Sequence, residues 1–109
     1  MKPMPKHLMI HSADLKTVAT DKWQAETLTL LASLKKVRIE PISKLITDKQ
    51  NRQITISAML FYDCVVSIPK NVAFAEGQKI IFNGKKYTIE TIEPLYDEKK
   101  LHHYELGLS

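Results

Sequence analysis

The sequence predicts an all-β protein: a small, mainly antiparallel barrel or sandwich of about six or seven strands, with room for one short helical turn and with a long hairpin protruding from the body. Three observations predict it. Asn83-Gly84 sits between two alternating apolar runs and is the preferred pair for a two-residue type I′ turn, because both central residues must take positive φ. The stretch from Gln53 to Asp63 carries Ile54, Ile56, Ala58, Leu60 and Tyr62 at alternate positions, the period of a strand. Short apolar runs recur along the chain with polar turns between them, and no stretch keeps a helical period.

Length and composition set the frame. With 109 residues the chain forms one domain, 1–109, with a real but modest core. Hydrophobic residues at 44% and charged residues at 26% are ordinary for a globular protein, so the body is expected to be ordered. Cys64 is the sole cysteine, which excludes an internal disulfide and leaves a cysteine-based metal site without partners. The first ten residues carry two prolines and no apolar run, so no secretory leader is expected there. No run approaches the roughly 18 apolar residues that span a bilayer.

The net charge of +4 is unevenly placed. Residues 1–54 hold ten Lys/Arg against five Asp/Glu, and residues 55–109 hold six against seven. A basic half can face nucleic acid or an acidic protein surface; the plainer reading is a solvated, lysine-rich face.

Along the chain, Pro3 and Pro5 predict an extended N-terminal tail over residues 1–6. Residues 7–12 alternate and read as a short strand, and 14–27 are ambiguous between a helical turn and a loop. Trp23, within that segment, is expected to fold over the core rather than to act as an interface anchor. Residues 27–40 read as two strand pieces whose phase breaks at Leu31-Ala32-Ser33-Leu34, where a bulge would repair it. Pro41 has no amide to donate, so this strand is expected either to end there or to lie at an edge. Residues 42–63 read as two strands around the polar tip Asp48-Lys49-Gln50-Asn51-Arg52. Ten residues at about 3.3 Å each reach roughly 30 Å, whereas a compact domain of this size has a radius of gyration of about 13 Å. Residues 43–54 are therefore expected to project as an arm.

The hairpin at Asn83-Gly84 fixes its own register: Phe82 faces Lys85, Ile81 faces Lys86 and Ile80 faces Tyr87. One face then gathers Ile80, Phe82, Tyr87 and Ile89 for the core. Residues 94–100 are expected to form a polar turn, and the last strand, from Leu101 to Leu108, to pair back on residues 86–93.

Catalytic and metal chemistry finds no support. The three glycines are too scattered for a phosphate loop, and no nucleophile elbow is present. His102 and His103 are adjacent on a strand and are expected to point to opposite faces; His7 and His11 would stand about 13 Å apart. Cys64 reads as a small buried hydrophobe. The chain is thus expected to be no enzyme and to use no cofactor or metal. Basic residues with Phe61, Tyr62, Phe82, Tyr87 and Tyr104 leave one binding reading open, an OB-like single-stranded nucleic-acid module, although most of these aromatics fall on core faces.

Taken in order, Lys2-Pro3-Met4-Pro5-Lys6-His7-Leu8, Val37-Arg38-Ile39-Glu40-Pro41, AMLFYDC at residues 58–64, IFNGKKYTI at 81–89, Glu93-Pro94-Leu95-Tyr96-Asp97 and LHHYELGL at 101–108 resemble minor capsid proteins of tailed phages and prophages of Gram-positive bacteria. That resemblance covers nearly the whole chain. It implies a β-barrel subunit of the head–tail connector, similar to head-completion or stopper proteins, that forms a ring beneath the portal and sends a long loop toward the central channel to help close it against DNA leakage. The matching loop here is 43–54, with Asp48, Lys49, Gln50, Asn51 and Arg52 at the tip. Expected partners are the portal or adaptor, tail-completion proteins and further copies of the chain. The N-terminal Lys2, Pro3, Met4, Pro5 and Lys6 form a candidate docking tail. Lys49 and Arg52, repeated around a ring, would meet packaged DNA through phosphates without reading sequence. The free subunit is expected to be a monomer, assembled from the host cytoplasm into the virion.

Overall fold

The computed structural model describes residues 5–20 and 22–109. Six strands form a closed barrel: β1 (His11–Thr20), β2 (Glu26–Thr47), β3 (Gln53–Asp63), β4 (Lys79–Phe82), β5 (Lys85–Asp97) and β6 (Lys100–Leu108), in the order β1-β2-β3-β6-β5-β4 with β4 returning to β1. The six strand pairings around the wall are all antiparallel. The sequence-derived fold class is therefore the observed one, in its barrel form.

Closure depends on β2. Its 22 residues serve two ladders, pairing β1 up to Val37 and β3 from Arg38 onward. A strand that long bends only by breaking its register. It does so at Leu31, at Lys36 (φ 56°) and between Pro41 and Lys44. The first lies where the sequence phase broke. Pro41 falls beyond the last β1 partner, so its missing N–H is tolerated at an edge.

The interior is filled by alternate residues of all six strands. Leu15, Leu34, Leu60, Ile80, Leu106 and Leu108 are fully buried. Tyr62 closes one end, in edge-to-face contact with Phe74 at 5.3 Å, and Phe74 meets Tyr104 at 5.5 Å. The β4–β5 turn has Asn83 at φ 51° and Gly84 at φ 76°, with the register the turn chemistry dictates. Gly107 is required by packing: a Cβ there would lie 2.3 Å from Thr91 Oγ1.

Several expectations are corrected. Of residues 7–12 only His11 and Ser12 are strand; Lys6–Leu8 is a single 3₁₀ turn closed by the Leu8 N–H on the Pro5 carbonyl at 3.0 Å, and β1 starts at His11. The ambiguous 14–27 segment is the second half of β1 and a hairpin turn. Its period is blurred because near the tip both faces meet solvent. Trp23 sits at that tip, 76% exposed, and does not cover the core. Residues 94–100 are no turn: β5 runs through Pro94 to Asp97, and Glu98 (φ 54°) and Lys99 alone reverse the chain. β6 consequently pairs with residues 89–97.

Candidate functional site

Two ribbons extend the barrel. The first is the β1–β2 hairpin. The second is made of residues 44–47 of β2 and 53–56 of β3, which pair with each other beyond the points where β1 and β6 stop. Among the described residues, no strand occupies the outer edges of this second ribbon. The molecule measures 47 × 30 × 26 Å with a radius of gyration of 14.3 Å, longer than the roughly 13 Å of a compact domain.

The tip residues Asp48, Lys49, Gln50, Asn51 and Arg52 come together as one ordered turn. Asp48 N–H donates to the Arg52 carbonyl at 2.9 Å, and Asn51, at φ 59°, supplies the left-handed residue the turn needs. Asp48 Oδ1 accepts the amides of Gln50 and Arg52, each at 2.8 Å, while Oδ2 accepts Arg52 Nε at 2.8 Å. The Arg52 amide first, then its guanidinium and the Gln50 amide, hold the Asp48 carboxyl below the ordinary carboxylate range. Arg52, though exposed, is thus partly neutralised within the tip, and Lys49 is exposed beside it. Beneath the tip an open cleft of about 520 Å³ runs between Ile46 and Ile54 on the ribbon and Gly77, Ile89 and Thr91 on the barrel rim.

Of the candidate docking tail, Lys2, Pro3 and Met4 lie outside the described residues. Pro5 is exposed and Lys6 opens the 3₁₀ turn. Arg38 Nη1 donates to the Leu8 carbonyl at 3.2 Å, which ties the start of the described chain to the outer surface of β2.

The aromatic candidates for base stacking are not gathered on an open strand face. Tyr62 is buried, and Phe82, Tyr87 and Tyr104 pack against the core. Phe61 is half-buried on the outer wall, and the exposed aromatics are Trp23 and Tyr96.

His102 and His103 depart from expectation. β6 carries an extra residue between the Leu95–His103 and Tyr96–Leu101 pairs, and that residue is His102. The bulge turns its ring toward its neighbour, so the two Nδ1 atoms lie 2.6 Å apart and His103 Nε2 lies 2.9 Å from Glu105 Oε2. One Nδ1 must donate to the other, which leaves no space for a metal between them. Among the described residues no three His, Cys, Asp or Glu side chains form a metal-holding group. Cys64 is half-buried against the core, and burial pushes its thiol up, away from nucleophilic use.

The sequence reading missed the exposed apolar side chains of the first ribbon, Trp23 and Leu30. The available signal was the uninterrupted alternation of threonines with aliphatics from Thr27 to Leu30, which reads as strand but does not say which face is covered.

The fold is a closed antiparallel β-barrel extended by two strand ribbons. The chain belongs to the minor capsid protein family, whose family model matches residues 5–108. It is a structural component of the phage virion. No curated protein matches it.

Proposed function

We propose that this minor capsid protein is a subunit of the head–tail connector, forming a ring below the portal. Its β2–β3 ribbon reaches the central channel, where it helps close the channel on packaged DNA or docks the tail. The observation that carries this reading is the ribbon itself: residues 44–47 and 53–56, with both outer edges unoccupied and a compact tip presenting Lys49. Unoccupied strand edges are a liability in a lone protein and an asset in an assembling one. A rotationally closed ring would bring the tips together around an axis. Each tip would offer Lys49, and Arg52 beyond its bond to Asp48, to DNA phosphates without sequence readout.

The partners on this reading are the portal or adaptor on one side and tail-completion proteins on the other. The N-terminal segment, Lys2 to Lys6, is a docking tail. The free subunit is a monomer in the host cytoplasm and joins the ring on the portal complex. The OB-like alternative, single-stranded nucleic-acid binding by the monomer, would need stacking platforms, and the inward packing of Tyr62, Tyr104 and Tyr87 speaks against it.

The test is electron microscopy of particles assembled with and without the protein. The expected result is a density ring below the portal in complete particles, and heads that lose DNA or lack tails without it. Filled, tailed and stable heads in its absence would overturn the reading.

A further inference from the structure

Strand register places residues into rows that alternate between the core and the outside of the barrel. The row Leu15–Ile80–Tyr87 faces inward, so its neighbour, Leu30–Lys16–Lys79–Thr88 across β2, β1, β4 and β5, faces outward. Lys16 and Lys79 are direct cross-strand partners. The next outward row brings Lys86 opposite Ile81, with Asp14 as the acid of the two rows. Leu30 stands beside Lys16, 53% exposed.

The other wall has the converse arrangement. Ile39–Leu60–Leu106–Ile92 faces inward, so Arg38–Phe61–Glu105–Glu93 across β2, β3, β6 and β5 faces outward. Here Glu93 and Glu105 are direct cross-strand partners. The cation of that row, Arg38, is engaged by Glu40 at 2.6 Å. Phe61 lies half-buried among these charges.

Like charges placed directly opposite in a sheet are destabilising. Among the described residues, Lys16–Lys79 is one such basic pair and Glu93–Glu105 one such acidic pair. The basic pair lies on β1 and β4 and the acidic pair on β5 and β6, so the two pairs occupy different stretches of the six-stranded ring and share no residue. Two different patches of opposite charge that share no residue are what a head-to-tail contact requires.

We propose that these walls are the two halves of a heterologous contact between copies of this chain, with the Lys16–Lys79 wall of one copy seated against the Glu93–Glu105 wall of the next. The proposal deepens the ring reading and rests on it. Leu30 and Phe61 supply apolar contact within the two patches, and the charges set orientation and order of approach. The basic half of the sequence then has an acidic protein surface to meet, supplied by the chain itself.

The experiment uses the full-length protein at high concentration and low ionic strength, followed by sedimentation velocity. Monomeric when dilute, the wild type is expected to self-associate weakly under these conditions, and more weakly still as salt is raised through about 0.15 M, where the screening length is about 8 Å. Lys16→Glu with Lys79→Glu, and separately Glu93→Lys with Glu105→Lys, should each weaken association by about tenfold or more. An equimolar mixture of the two variants should restore it, because each then offers the charge the other lacks. Lys22→Glu with Lys99→Glu, an equal charge change at two exposed turn positions, should leave association close to wild type. Association that is indifferent to the wall reversals, or equally sensitive to the turn reversals, overturns the wall pairing but leaves ring formation standing. A wild type that stays monomeric at every concentration and salt also overturns the pairing as a contact with its own affinity. The ring itself stands or falls by the density below the portal in particles.

Discussion

Ser67 Oγ donates to the Lys36 carbonyl at 2.6 Å and at the same time accepts the Asp63 N–H at 3.0 Å. One buried hydroxyl thereby joins the bulge in β2 to the exit of β3. The Asp63 carboxylate caps the same turn, accepting the Val65 and Val66 amides at 2.7 and 2.9 Å. Lys35 and Ile68 exchange backbone bonds at 2.8 and 3.0 Å just outside it. The long β3–β4 connection is pinned to the barrel at the place where β2 passes from one ladder to the other.

Replacing Ser67 with Ala removes the hydroxyl that bridges the buried Asp63 amide and the Lys36 carbonyl. A loss of about 1–3 kcal/mol is expected, seen as a lower midpoint in urea or heat with an unchanged urea slope. A midpoint equal to wild type would show that the junction does not depend on this hydroxyl.

Gly107→Ala is expected to destabilise by about 1–3 kcal/mol through overpacking, because its Cβ would overlap Thr91 Oγ1 at 2.3 Å. Thr91→Ala in the same chain removes the obstructing atom. The double variant should therefore lose less than the two single losses added together. Additive losses in a thermal-melt cycle would contradict the contact.

Asn83→Gly should be close to neutral, whereas Asn83→Val should cost about 1–2 kcal/mol, because a β-branched residue is forced to positive φ. Equal stability of the two variants by denaturant titration would mean that the turn had changed type.

The Asp48 carboxyl is held below its ordinary value. A group whose folded pKa is depressed contributes order above its unfolded pKa and loses it as pH falls through the folded one. The tip should therefore be indifferent to pH above about 5 and loosen as pH drops below the ordinary aspartate value of about 3.9. Hydrogen exchange of the Gln50 and Arg52 amides, corrected for intrinsic rates, reads this directly. Asp48→Ala should give the loosened exchange at neutral pH as well. Protection that survives both acid and Asp48→Ala would remove the carboxylate from its role.

Trp23 should be quenched by iodide in the native protein nearly as strongly as in the unfolded chain, since 76% of it is exposed. Strong protection in the monomer would contradict its place at the tip.

Local turn chemistry made part of this fold legible. Asn83-Gly84 carries its turn type in two residues and its register follows by counting, and the phase break at Leu31 marked a bulge. Elements governed by partners distant in sequence were not legible. Pro94 reads as a breaker, yet the β4 partners of β5 end at Thr88, so an edge position accepts it. The juxtaposed His102 and His103 rings depend on a bulge whose register is set by β5. At the candidate site, the tip residues could be named from polarity between two strands. The Asp48–Arg52 bond that tempers their charge follows from the turn geometry, and the opposed lysine and glutamate rows arise only when the barrel closes.

The two ribbons share a strand. β2 runs without interruption from Glu26 at the tip of one to Thr47 at the tip of the other. A load applied along β2 between those ends is therefore carried by its two ladders lengthwise, with many hydrogen bonds stressed in parallel, instead of peeling them one at a time. The three register breaks are where such a member yields first. Deformation imposed at one tip is concentrated near Leu31, Lys36 and residues 42–43, while the hydrogen-bonded wall on either side of each break moves as a block.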